Sequence, residues 1–125
     1  MLHRPAPADR GPVQLAERPR PEPGPGEVLL RVGAGGVWRP DLLLAEGALE
    51  LHAAPVVPGH QIVGEVIAAG ADAAQAVGER VGVTWIAVSC GECPWCRQGR
   101  ENLCHQATFT GWDRDGGFAD LVTAD

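Results

Sequence analysis

All four cysteines of this 125-residue chain lie within one fifteen-residue stretch, which is the strongest constraint on how the chain folds. They follow the pattern Cys90-x-x-Cys93-x-x-Cys96 and then, after seven further residues, Cys104. Two-residue gaps let the backbone curl around one metal ion, and the glycines and proline inside the loop supply the turns. Four thiolates in a tetrahedron leave no open coordination position, so the spacing predicts a structural zinc site.

Two other uses of the cysteines are less favoured. An iron–sulfur cluster has a similar C-x-x-C-x-x-C opening, but its usual fourth cysteine follows after three residues and precedes proline, whereas Cys104 follows after seven and precedes His105. Disulfides are disfavoured in the cytoplasm, where we place the chain because its N-terminus lacks an apolar signal segment. We therefore expect one zinc ion per chain, with His105 on the surface.

Charge and hydropathy argue against two kinds of partner. The formal net charge is -6, and the basic residues are scattered among 16 acidic ones, whereas a nucleic-acid surface needs clustered cations. The apolar stretches are far shorter than the roughly 20 residues of a membrane-spanning helix. Nucleic acid and membrane are therefore not expected partners. Asp113, Asp115 and Asp120 lack the spacing of a calcium loop and are predicted to form a solvated turn.

The 17 glycines and 11 prolines indicate many turns, short strands and little helix, which is typical of a mainly β, barrel-like fold. Residues 1–26 are rich in proline and are predicted to form an extended arm, with a possible strand over 13–17. Pro40 and Gly47 are placed to begin and end a short helix. Strands are predicted over 27–32, 62–69, 80–88 and 118–123, with glycines 33, 35 and 36 breaking the first.

Three further segments, read with the cysteine loop 90–104, resemble one known family. They are V-V-P-G-H at 56–60, G-E-R-V at 78–81 and G-G-F-A at 116–119. The chain resembles the N-terminal GroES-like domain of zinc-dependent medium-chain alcohol dehydrogenases from residue 27 to residue 125. The resemblance implies a partly open β-barrel with short helices and a structural zinc on the four cysteines. It implies an incomplete domain without the Rossmann cofactor domain, about the first third of such an enzyme.

The resemblance fails at the catalytic zinc. The family holds this ion with a cysteine of a C-G-V-C-x-T-D motif, a histidine of G-H-E and a third ligand further along the chain. Here the first motif reads G-G-V-W-R-P-D over 35–41. Trp38 takes the place of the ligand cysteine, and an indole N–H offers no lone pair to a cation. Pro40 replaces the hydroxyl residue that relays the substrate proton, and Gln61 replaces the glutamate after His60.

Three residues of this region remain candidate catalytic residues: His60, Asp41 and Arg39. One histidine cannot supply a three-ligand zinc site, so we favour His60 as a hydrogen-bonded residue of its loop. Arg39 matches a position that contacts the cofactor pyrophosphate in some members of the family. Because the chain has no cofactor domain, a solvated arginine near a helix start is the favoured interpretation of Arg39.

Two functions are consistent with the sequence. The first is a non-redox binding or partner-docking module that keeps the structural zinc and has lost the redox centre. A homodimer, a partner protein or a small molecule in a cleft near Trp38 and His60 would be its partners, and NAD(P) is not expected to bind this chain alone. The second is an enzyme, either the substrate-side part of an NAD(P)-dependent dehydrogenase or a small non-redox enzyme with His60 as acid or base. The fold alone does not choose between them.

Overall fold

The computed structural model describes residues 1–125 and is mainly β, as predicted. Its strands and its one α-helix are, in chain order, β1 (Val28–Gly36), α1 (Arg39–Glu46), β2 (Gln61–Ala69), β3 (Arg80–Val83), β4 (Ile86–Val88), β5 (Thr108–Phe109) and β6 (Leu121–Ala124). Short 3-10 helices lie at Ala8–Arg10, Cys96–Gln98 and Glu101–Leu103. The short helices of the predicted fold class are therefore confirmed.

The strands form two open antiparallel sheets. One has four strands in the order β3-β2-β1-β6, and the other is the β4-β5 pair. Alternate residues of β2 face the interior, as the period of a half-buried strand requires. The core between the strands consists of Val28, Leu30, Ile62, Val66, Val122 and Ala124. The sheets remain open, so the architecture is the partly open one expected from the resemblance.

The glycine-rich segment 33–36 does not end the first strand. The prediction that its glycines break this strand was wrong. β1 runs on to Gly36 because its last residues pair with β2, with Gly35 opposite Ile62 and Gly36 opposite Gln61. A Cβ on Gly36 would lie 2.5 Å from Oε1 of Gln61. A side chain at position 36 would therefore have to displace the Gln61 side chain on the neighbouring strand.

Two other strand predictions were wrong in their bounds. The strand predicted over 80–88 divides into β3 and β4, because the Trp85 carbonyl between them accepts the Thr110 N–H at 2.8 Å and directs the chain into the second sheet. The strand predicted over 118–123 begins at Leu121. Residues 116–118 instead donate their backbone N–H groups to the carbonyls of residues 57–59, which ties this turn to the segment before β2.

The predicted helix is confirmed as α1. Pro40 lies in its first turn, where a missing N–H costs nothing, and Gly47 ends it with φ 85°. The Asp41 carboxylate accepts the Trp38 N–H at 2.9 Å and caps the N-terminus. No helix of this structure has the length and apolar character needed to cross a membrane.

The N-terminal arm is anchored on the domain, and no strand forms over 13–17; Val13 makes only an isolated bridge with Leu2. Leu2 is fully buried beside Leu44 and Val56. Its N–H and carbonyl exchange hydrogen bonds of 2.8 and 3.0 Å with Val56. Residues 1–26 therefore contribute to the core, and the division at residue 26 stays a prediction.

Candidate metal centre and adjoining cleft

The four cysteine sulfur atoms converge on one point. They all lie within 4.8 Å of one another. The Sγ atoms of Cys93 and Cys96 are 3.5 Å apart, those of Cys104 and Cys90 3.6 Å, and those of Cys90 and Cys96 3.9 Å. Sulfurs at about 2.3 Å from a tetrahedral zinc are separated by about 3.8 Å. The cysteines are free and therefore fit a single zinc ion of the structural type.

Backbone N–H groups prepare these sulfurs for a cation. The N–H of Cys93 donates to Cys90 Sγ at 3.3 Å, and the N–H of Gln106 donates to Cys104 Sγ at 3.4 Å. Hydrogen bonds from the backbone of Cys93 and of Glu92 lower the pKa of Cys90 to about 7, so its thiolate is accessible near neutral pH. Burial raises the pKa of Cys96 to about 11, and a bound cation would favour that thiolate.

The geometry separates the alternatives for this loop. Four sulfurs around one point suit one ion, whereas a multi-iron cluster distributes its cysteine ligands over several iron atoms. His105 is exposed, as predicted, and does not belong to the cluster. Trp95 lies in the loop, and the Arg100 guanidinium lies 4.8 Å from its ring centroid in a cation–π contact.

A second group of side chains surrounds His60. Its Nδ1 lies 3.0 Å from Oδ1 of Asp41, which also accepts the Gly59 N–H at 3.2 Å. A carboxylate only accepts hydrogen bonds. Nδ1 therefore carries the proton, and this N–H donates a hydrogen bond to Asp41. Nε2 is buried and has no hydrogen-bond partner. The structure thus brings His60 and Asp41 together, while Arg39 is exposed at the first residue of α1, outside this pair.

Two indole rings flank the imidazole of His60. The ring centroids of Trp38 and Trp85 lie 6.0 and 5.1 Å from it. No thiolate and no further histidine or carboxylate accompanies His60 and Asp41 at metal-ligand distance; the four cysteines are the only cluster of that kind in the chain. The residues here therefore do not fit the catalytic zinc of the resemblance, which needs three protein ligands.

These rings line an open cleft of about 500 Å³ at the glycine end of β1. Trp38, His60 and Trp85 contribute to it, as do residues 34–36 of β1. Trp85 was not expected in a site, because only the crossing from β3 to the second sheet brings it beside His60. Trp85 lies within an apolar strand segment, where a tryptophan usually packs in the core.

The acidic residues near the second glycine turn do more than was predicted. Asp113 pairs with His52 at 2.7 Å and accepts the Phe109 N–H, and Asp115 pairs with Arg18 at 2.6 Å. Their side chains remain 24% and 42% exposed, so the turn is partly solvated, as predicted, while loops distant in sequence supply partners. Asp120 is exposed, as predicted.

The fold and the cysteine loop together define a mainly β domain of the GroES-like class with a four-cysteine metal site. The sequence profile of the alcohol dehydrogenase GroES-like domain matches residues 24–125. The chain therefore belongs to the GroES-like domain family of zinc-dependent alcohol dehydrogenases.

Relatives and solved structures agree with this membership. The chain is 45% identical to "Probable alcohol dehydrogenase AdhA" of Mycobacterium tuberculosis, over 98% of this chain and 37% of the relative. It is 42% identical to an alcohol dehydrogenase of Rhizobium meliloti, over 91% of this chain and 34% of the relative. The chain thus spans about a third of the length of the curated relatives it matches.

Among solved structures, the chain resembles AibC with a TM-score of 0.89 and 38% identity, over 98% of this chain and 34% of that one. It also resembles a cobalt- and zinc-bound thermostable alcohol dehydrogenase from Pyrobaculum aerophilum, with a TM-score of 0.88 and 30% identity. That likeness covers 98% of this chain and 37% of the archaeal one.

Proposed function

We propose that this chain is a non-redox binding module of the cytoplasm, a pseudoenzyme that keeps one structural zinc and uses its cleft to bind a small molecule. The observation that carries the proposal is the position of Trp38. Its ring stands 6.0 Å from His60, where the family pattern places a metal-binding thiolate. No thiolate and no further histidine or carboxylate lies at metal-ligand distance from His60 and Asp41, which supports the loss of the metal-binding role.

The zinc has a structural role in this proposal. Cys90, Cys93, Cys96 and Cys104 would hold one ion per chain and tie the end of β4 to the start of β5. A zinc with four thiolates has no open position for substrate, so this ion contributes to folding and not to a reaction. The free thiols of the loop are in keeping with a reducing compartment.

Binding of NAD(P) to this chain alone is not part of the proposal. A dinucleotide loop joins a strand to a helix through three glycines that let the pyrophosphate approach the helix N-terminus. Here the glycines of 33–36 lie inside β1, and Trp38 falls at the third glycine position. This region therefore lacks the three-glycine turn from strand to helix that a pyrophosphate site uses.

A metal count and a cofactor titration test the proposal. Purified chain should contain one zinc per molecule by plasma mass spectrometry and should not quench or shift NADH fluorescence. Two zinc ions per chain, or saturable NADH binding, would overturn it. Trp38→Cys is the matched variant: a second, weaker zinc in this variant alone would show that Trp38 is what removes the site.

The second candidate is an enzyme, and the relatives favour it. The chain is similar over a third of their length to proteins named alcohol dehydrogenases, so a substrate-side part of an NAD(P)-dependent oxidoreductase is the alternative. A non-redox enzyme with His60 as acid or base is a weaker form, because the burial of Nε2 keeps this atom from a substrate. NAD(P)-dependent alcohol oxidation by the natural polypeptide that carries this chain, lost in His60→Ala, would favour the enzyme.

Docking of a protein partner, including a second copy, is the other form of the binding role. The outer edges of β3 and β6 have no neighbouring strand, and unpaired strand edges are common docking sites. Sedimentation velocity over a hundredfold concentration range measures self-association. A monomer at every concentration would rule out the homodimer.

A further inference from the structure

The cleft beside His60 has the dimensions of a small-molecule site. Its volume is about 500 Å³, within the roughly 300–1,000 Å³ of ligand pockets. Six of its eleven lining residues are hydrophobic. A cleft of this size and lining favours a largely apolar molecule of one or two rings over an extended polar one.

One wall of the cleft is aromatic. The imidazole of His60 lies between the indoles of Trp38 and Trp85, with interplanar angles of 52° and 35°. Trp38 remains 54% exposed although it is a large apolar side chain. A flat ring placed against Trp38 would remove this surface from water and add an aromatic contact, which is favourable beyond the buried area itself.

Another part of the cleft lining is nearly bare backbone. Ala34, Gly35 and Gly36 present almost no side chain, and glycine lets a ligand approach the main chain closely. A side chain at position 36 would meet the Gln61 side chain, which also lines the cleft. The flat indole faces of Trp38 and Trp85 stack on a planar molecule more closely than on a thick, saturated one.

The lining also indicates the charge of the occupant. No aspartate, glutamate, lysine or arginine lines the cleft, and its neutral polar side chains are Gln61 and Thr84. The Nδ1–H of His60 donates a hydrogen bond to Asp41, and Nε2 is buried. An ion entering this cleft would lose hydration without gaining an opposite charge, which is costly.

We propose that the cleft binds one uncharged, planar aromatic molecule against Trp38 and Trp85, with Gln61 and Thr84 available to its neutral polar group. This inference rests on the binding role proposed above and names the chemical class of the ligand. The indole of Trp38, at the position of a metal ligand, becomes part of the binding wall.

The test uses the four tryptophan indole N–H resonances of the zinc-loaded, ¹⁵N-labelled chain. The probe is 2-naphthol, and the matched probes are 2-naphthoate, which is charged, and trans-decahydro-2-naphthol, which is not planar. The resonances of Trp38 and Trp85 should shift on titration with 2-naphthol, while Trp95 in the zinc loop should not. The dissociation constant of 2-naphthol should be at least tenfold below those of both matched probes.

Two substitutions locate the site. Trp38→Ala should weaken 2-naphthol binding at least fivefold, and Trp38→Phe should retain most of it. Leu15→Ala, a fully exposed position outside the cleft, should leave the affinity unchanged. Equal affinities for 2-naphthol and 2-naphthoate, or equal affinities of wild type and Trp38→Ala, would overturn the proposal. The proposal would also be overturned if the Trp38 resonance of the protein without probe shifted as the protein concentration rose. A second copy of the chain would then occupy the cleft.

The failures of the two proposals are distinguishable. If 2-naphthoate shifts Trp38 and Trp85 more strongly than 2-naphthol does, the ligand class is wrong while a binding cleft remains. If the zinc count is two or NADH binds, the non-redox function fails whatever the result with 2-naphthol.

Discussion

Nδ1 of His60 lies 3.0 Å from Oδ1 of Asp41, and each side chain is only 5% exposed. The same carboxylate accepts the backbone N–H groups of Trp38 and Gly59. Asp41 therefore caps α1, holds the turn before β2 and orients the imidazole. The pair therefore has a structural role that does not depend on catalysis.

Asp41→Ala should lower the free energy of unfolding by about 2–4 kcal/mol, because it leaves three donors, two of them buried, without an acceptor. Asp41→Asn keeps the size and one acceptor oxygen and should cost about half as much. Urea denaturation of the zinc-loaded proteins measures both. A loss below about 0.5 kcal/mol in Asp41→Ala would contradict the role assigned to this carboxylate.

Leu2→Ala should lower the free energy of unfolding by about 2–4 kcal/mol, since Leu2 is fully buried against Leu44 and Val56. Leu15→Ala is the matched control, because Leu15 lies in the same arm and is fully exposed. It should stay within about 0.5 kcal/mol of wild type. Equal effects of the two substitutions would show that the arm is a linker and not part of the core.

Local chemistry made part of this structure predictable from sequence. The two-residue cysteine gaps and the glycine turns bring four sulfurs together, and Pro40 and Gly47 define the ends of α1. In each case the signal and the structure it produces lie within about fifteen residues. The strand β2 was also predictable, because it is rich in β-branched and other apolar residues and is followed by the turn residue Gly70.

Features that depend on distant residues were not predictable. Glycines 33, 35 and 36 resemble a strand end, yet pairing with β2 extends β1 through them. The residues around Leu2 do not predict its contact with Val56. Those around Trp85 do not predict its position beside His60. These contacts form only when segments tens of residues apart meet, so periodicity and propensity cannot report them.

Gly59→Ala should be strongly destabilising, by about 3 kcal/mol or more. Gly59 has φ 100°, and a Cβ there would lie 2.6 Å from Cδ1 of Phe118 and 2.9 Å from its backbone nitrogen. Gly91→Ala is the matched control, because Gly91 has φ 70° with open space around it and should cost only about 1 kcal/mol. Thermal melting at fixed zinc concentration compares the two; similar losses would contradict the steric argument.

Removing zinc should unfold the loop between β4 and β5 before the four-stranded sheet. The two 3-10 helices of this loop bury no residue, so we expect the metal to be the main interaction that holds the loop together. Excess chelator or Cys104→Ser should abolish hydrogen-exchange protection over residues 90–107 and retain it in β1 and β2. His105→Ala should keep one zinc and full protection. Unchanged protection of the loop in metal-free protein would contradict this.

The stability of the chain should fall in acid partly through Glu27. Its carboxylate accepts the Gly24 N–H at 2.8 Å and pairs with Arg114, and these contacts, the backbone bond first, lower the pKa of Glu27 below its ordinary value of 4.5. A carboxyl group with a lowered pKa in the folded state stabilises the protein above its unfolded pKa. That contribution is lost as the pH falls through the folded value.

Glu27→Gln should therefore be less stable than wild type at pH 7, by about 1 kcal/mol or less for a partly exposed ion pair. The gap should persist down to about pH 4.5 and shrink below it, because wild-type Glu27 is then protonated as well. Urea midpoints at pH 7, 5.5, 4 and 3 measure the gap, and comparison at equal pH cancels any zinc loss shared by both proteins. Glu22→Gln, at an exposed position, should show no gap at any pH. A gap for Glu27→Gln that stays constant from pH 7 to 3 would show that the lost stability comes from packing and not from the charge.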